Sequence, residues 1–240
     1  MATSPAVPVP LPIHLAVAEP DQRDRLTALI RIIMVIPQWI VLFFVYIAAL
    51  IVVIIGWFVA LVTGRLPDFA VNFLSGVLRW DARVRCYSYL LVDKYPPFSL
   101  GEEPGYPVQL AIPDAADLNR LTVLFRFFIA LPIAIFVGIL GYGLNIFSIG
   151  SWFMIVFTGR MPKPLFEVTR AVLRYQARLG GFFWMLTPEY PWGIYGEPQE
   201  TTDATGPGWT FKLSQSARTA MTSLIIVGAI VAIINNTRYF

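Results

Sequence analysis

From Ile32 to Gly64 the chain reads IIMVIPQWIVLFFVYIAALIVVIIGWFVALVTG, with no charged side chain. From Phe127 to Gly159 it reads FFIALPIAIFVGILGYGLNIFSIGSWFMIVFTG, again uncharged. Each run is about 33 residues. As one helix it would be about 50 Å long, against a bilayer hydrocarbon core of about 30 Å. That excess favours a helical hairpin, as two spans or a deep re-entrant pair, over one strongly tilted helix. Gly141-Tyr142-Gly143-Leu144-Asn145 near the middle of the second run is turn material. Arginines flank both runs: Arg25, Arg31 and Arg65 around the first, and Arg120, Arg126 and Arg160 around the second. A hairpin returns both flanks to one side, as the positive-inside rule asks, and makes the repeats parallel.

The two runs belong to a tandem repeat. A shift of about 95 residues brings Arg25-Leu26-Thr27 onto Arg120-Leu121-Thr122, and Pro37 onto Pro132. It brings Thr63-Gly64-Arg65 onto Thr158-Gly159-Arg160, and Tyr95-Pro96 onto Tyr190-Pro191. The matches continue through polar segments, where shared apolar composition cannot produce them. Each copy opens on an alternating segment after a proline, residues 12–17 and 107–112, which predicts a short edge strand. Asp24 and Asn119 are placed to cap the long helix. After Thr-Gly-Arg-x-Pro comes a third helix in each copy, over 69–92 and 165–186. Arg79 and Arg83, like Arg174 and Arg178, are four apart and share a face. Such a helix either lies in the membrane interface with its arginines toward headgroups, or packs on a cytoplasmic layer.

The organisation that follows is a Pro-rich tail (1–11), repeat 1 (12–104), repeat 2 (105–198), a linker (199–216), and a C-terminal span with its tail (217–240). Gly228, Ala229 and Ala232 give that span a small-residue face suited to close helix docking. The fold class expected is an all-α integral membrane protein. It has two parallel tandem repeats, each a transmembrane helical hairpin plus an amphipathic interfacial helix, with short cytoplasmic β-strands and one extra C-terminal transmembrane helix.

Composition narrows the function. The 240 residues are 57% hydrophobic and 14% charged, and the mean hydropathy is +0.65. A soluble domain carries about 25% charged residues. A net charge of +3 is too small for a nucleic-acid footprint. Cys86 and His14 are the only residues of their kinds, so an intrachain disulfide, a two-His metal site or a bis-His haem is excluded. No constellation carries a reaction, and we expect no enzyme activity, no cofactor and no metal. Asn145 is the strongly polar side chain noted deep in the runs, too little for a proton or ion pathway.

Six arginines are the candidate contacts with lipid headgroups or a partner: Arg65, Arg160, Arg79, Arg83, Arg174 and Arg178. For Arg65 and Arg160 the simpler role is to end the span, with the glycine before each as the helix C-cap. Gly228, Ala229 and Ala232 are candidates for helix docking, with another polypeptide expected as their neighbour. Cys86 is expected at the inner surface.

The order Arg-Leu…Arg…Pro, apolar run, Thr-Gly-Arg-x-Pro, Leu-Arg-Trp, Tyr-Pro-Pro-Phe-Ser-Leu resembles an uncharacterised bacterial membrane family, domain of unknown function four-three-eight-nine. Residues 12–104 carry the resemblance well. Residues 107–198 carry it as a degenerate copy, and the C-terminal span lies outside it. The resemblance implies a bacterial plasma membrane and no particular activity. The expectation is therefore a multi-pass protein of the bacterial inner membrane with its repeat loops in the cytoplasm. Its partners would be membrane lipids and other membrane subunits, not nucleic acid. Its function would be that of a non-catalytic accessory or scaffold subunit. The alternative is a small lipid or solute carrier with a cavity between the repeats.

Overall fold

The computed structural model describes residues 13–18, 23–191 and 213–237. The Pro-rich tail, most of the linker and the last three residues lie outside that range. The order is β1 (His14–Val17), α1 (Arg25–Thr63), α2 (Asp68–Ser88), β2 (Val108–Ala111), α3 (Arg120–Thr158), α4 (Lys163–Phe183) and α5 (Gln215–Thr237). Helices α1, α3 and α5 are each long and apolar enough to cross a membrane.

The hairpin expectation is overturned. Helices α1 and α3 are each one uninterrupted helix of 39 residues, about 58 Å long. Pro37 and Pro132 lie inside them without ending them. The glycines taken for a turn serve close approach instead. A Cβ on Gly143 would overlap the Leu224 carbonyl of α5, while one on Gly141 would meet only the Gln176 amide at 3.9 Å. Glycine favours a turn where backbone must meet water. Here a neighbouring helix makes the same residue a contact point.

The ends of the long helices form as their sequence dictates. Asp24 accepts a hydrogen bond from Leu26 N at 3.0 Å, and Asn119 from Leu121 N at 2.9 Å. Gly64 and Gly159 close the helices in the left-handed region, at φ of 79° and 71°, where a Cβ is costly. The Gly64 carbonyl accepts from Leu118 N at 2.8 Å, and the Gly159 carbonyl from Arg23 N at 3.0 Å. The C-cap of each long helix thus holds the lead-in to the other.

That exchange makes α1 and α3 antiparallel. The Trp57 indole donates to Val123 O at 3.0 Å near one end, and Trp152 donates to Ala28 O at 2.9 Å near the other. These two bonds are the same bond seen from each copy. The repeats are therefore related by an approximate two-fold axis, not by the parallel translation expected from hairpins.

Helices α2 and α4 form a second layer, packed on α1 and α3 respectively and on each other. Both are largely buried, so they are packed helices and not free interfacial ones. The third layer is β1 paired antiparallel with β2, Leu15 opposite Leu110. Both strands fall within the alternating segments that open each copy. Strand β1 lies on α4 and β2 on α2.

The α5 small face is used within the chain. A Cβ on Gly228 would overlap the Ile139 carbonyl of α3, and Ala229 and Ala232 are half-buried beside it. The neighbour at Gly228 is thus α3, which corrects the expectation of another polypeptide. Gly228→Leu should force α3 and α5 apart and cost about 1–3 kcal/mol as overpacking, read as a lower Tm in detergent. Ala229→Leu should cost less, because its site is only half enclosed.

Candidate functional site

The arginines singled out from sequence divide into two groups. Arg65 and Arg160 are exposed. Arg65 pairs with Asp117, two exposed side chains, and this holds the Arg65 guanidinium above its ordinary pKa and the Asp117 carboxyl below its own. Exposed pairs contribute little to stability. Thr63 and Thr158 bridge the same turn in both copies, each hydroxyl donating to the carbonyl four residues back.

Of the other four, Arg83, Arg174 and Arg178 are buried and Arg79 is half-buried. Arg83 is 3% exposed and donates to Gly101 O at 3.0 Å and to Ser99 O. Arg79 reaches Glu102 at 3.0 Å. Arg178 is 6% exposed and donates to Ile13 O at 2.9 Å, and Arg174 is 2% exposed. Arg79 and Arg83 thus fasten the 99–102 loop to α2, and Arg178 ties the residue before β1 to α4. Cys86, on α2 between them, is fully buried, and burial pushes its thiol up, so it cannot report sidedness to a thiol reagent.

Two further arginines, Arg31 and Arg126, occupy equivalent positions on α1 and α3. Arg31 lies over the Tyr87 ring at 4.5 Å, and Arg126 over the Phe182 ring at 4.3 Å. Their partners differ. Arg31 donates to Tyr87 O and Val92 O, both at 2.9 Å, and forms an ion pair with Asp93 at 2.5 Å. Arg126 donates to Thr187 O at 2.7 Å, and Pro188 stands where Asp93 does in the first copy. The Arg126 Nε and Nη1 have no acceptor among the described residues.

Divergence between the copies also opens a cavity of about 530 Å³ where they meet. Copy 1 contributes Tyr46, Asp81, Arg85 and Tyr89 to it, at positions where copy 2 has Gly141, Gln176, Gly180 and Trp184. Two of these second-copy positions, Gly141 and Gly180, carry no side chain. Asp81 and Arg85 form an ion pair one helical turn apart at 2.7 Å. Asp81 holds Arg85 firmly protonated, and burial pushes the Tyr89 phenol up so that it stays a neutral donor. Tyr89 donates to Asn145 at 2.9 Å. The rest of the lining is mostly apolar and includes Phe127, Leu131, Val137, Leu179 and Phe183. Phe127, Leu131 and Gly138 are also exposed on the outside of α3, so the cavity borders the apolar surface.

Sequence reading passed over this site. The Asp81–Arg85 spacing was a legible i,i+4 pair, and its loss at Gln176 and Gly180 was visible in the repeat. Gln38 was missed as well. It is fully buried, accepting from the Trp80 indole at 2.9 Å and donating to Pro96 O at 2.6 Å.

A family model described as domain of unknown function, DUF4389, matches twice, over residues 25–99 and 120–194, together more than half of the chain. The chain belongs to this family. Its two copies are the two repeats, each running from the start of a long helix to just past the helix that packs on it. No curated protein and no solved structure matches the chain.

The unequal arginines make a test. Arg31→Met strands Asp93 and should destabilise the protein by about 1–3 kcal/mol, less than the roughly 3–5 kcal/mol of a fully buried pair because Asp93 keeps some solvent. Arg126→Met removes a buried charge that no carboxylate among the described residues compensates, and it should be neutral or raise Tm. Thermal unfolding in detergent reads both.

Proposed function

We propose that this protein is a non-catalytic, membrane-seated binding protein of the bacterial cytoplasmic membrane that holds one amphiphilic molecule between its two repeats. The cavity at the repeat interface carries this reading. Its lining offers hydrogen bonds from Tyr46, Tyr89 and Gln176 beside the Asp81–Arg85 pair. It also offers apolar side chains beside an exposed apolar helix face. Such a site suits a polar head with an attached chain, entering from the lipid. Because Asp81 and Arg85 offset one another, the head is neutral or zwitterionic and not strongly anionic.

This reading takes up the carrier alternative in preference to the scaffold subunit. The scaffold reading drew on α5 seeking a neighbour. That neighbour is α3, so the small-residue face no longer speaks for a partner.

Gly141→Leu tests the proposal, since a side chain there grows into the cavity without meeting backbone. Native mass spectrometry of the purified full chain should find a bound lipid-like molecule on the wild type and little on the variant. Equal occupancy, or none on the wild type, would contradict the reading.

A further inference from the structure

We infer that α1 and α3 lie in the plane of the membrane within a single leaflet and do not cross it. The inference rests on the membrane seating proposed above and adds the orientation.

The first argument is length. The uncharged run of each helix is about 50 Å, and a straight helix would need to tilt by about 53° to fit it within about 30 Å of hydrocarbon. Observed tilts run from about 0 to 40°. For a helix lying in the plane, bilayer thickness sets no limit on apolar length. One layer of helices about 10–12 Å across fits a leaflet about 15 Å deep.

The second argument is what lies beside the helix midpoints. Leu42, near the middle of α1, packs with Trp80 and Val84 of α2. On the same helix, Arg79 and Arg83 hold Glu102, Gly101 and Ser99, and the Glu102 side chain is 72% exposed. If α1 crossed the bilayer, this irregular, charged loop would sit level with the bilayer centre. Exposed loops and open strand edges do not occur in hydrocarbon. In the in-plane orientation the three layers stack along the membrane normal, apolar helices first and the strand layer in water.

The third argument is charge. The cap exchange places Arg65 beside Arg120 at one end of the pair, and Arg25 beside Gly159 and Arg160 at the other. Crossing helices would put basic residues on both faces of the membrane, against the positive-inside rule. In-plane helices keep them all on one side.

Depth measurement along α1 tests this. Ile33, Phe44 and Phe58 are exposed on nearly one face. Each is replaced singly by cysteine in a Cys86→Ala background, labelled with bimane, and the full chain is reconstituted in phosphatidylethanolamine–phosphatidylglycerol vesicles. Lipids carrying nitroxides near the headgroup or near the chain end quench the label. The in-plane orientation gives the same shallow-to-deep quenching ratio at all three positions. A crossing helix gives a deep label at Phe44 and shallow ones at Ile33 and Phe58, each about 15–20 Å away along the axis, and that result overturns the inference. Absence of quenching at every position would instead sink the membrane reading itself and the inference with it.

Discussion

The rest of the structure depends on the exchange at the two left-handed glycines. Gly64 and Gly159 end the long helices, and each gives its free carbonyl to the backbone of the other copy's lead-in. A helix terminus leaves carbonyls that need donors. Here the donors come from the neighbouring repeat. With both ends tied in this way, α1 and α3 must run antiparallel and nearly in register. Helices α2 and α4, strands β1 and β2, and the cavity on the axis take their places from that arrangement.

Duplication followed by unequal drift then explains the site. Where the copies stay alike, they pack: Trp57 and Trp152 make matching bonds across the pair. Where they differ, the interface opens or loses a partner. Tyr46 corresponds to Gly141, Asp81 to Gln176 and Arg85 to Gly180, and all six line the cavity. Arg126 keeps the aromatic face and the carbonyl of its counterpart but not the carboxylate. A homogeneous pair would have filled the cavity symmetrically. The degenerate copy leaves room on one side and polar groups on the other.

Much of this was legible in the residues. The 95-residue shift, the Asp24 and Asn119 caps, the glycine C-caps and the paired opening strands followed from local chemistry, and the structure contains each of them. The hairpin did not follow, for a definite reason. The length of the run and its flanking arginines are compatible both with a turn near Gly141 and with one unbroken helix, and nothing within the run separates the two. Gly143 serves instead as the contact for Leu224 of α5, a neighbour outside the repeat. The inward turn of Arg83, Arg174 and Arg178 was equally hidden. A spacing of four places two arginines on one face but does not say whether water, lipid or a strand covers that face.

The central claim is that each repeat contains one continuous long helix paired antiparallel to its counterpart. Pulsed electron paramagnetic resonance between nitroxides at Leu26 and Val62, both exposed near the ends of α1, tests it most directly. One uninterrupted helix predicts a separation of about 54 Å along the axis, in detergent and in bilayers alike. A narrow distribution at less than half that distance would mean that the run folds back on itself, and the antiparallel architecture would be wrong.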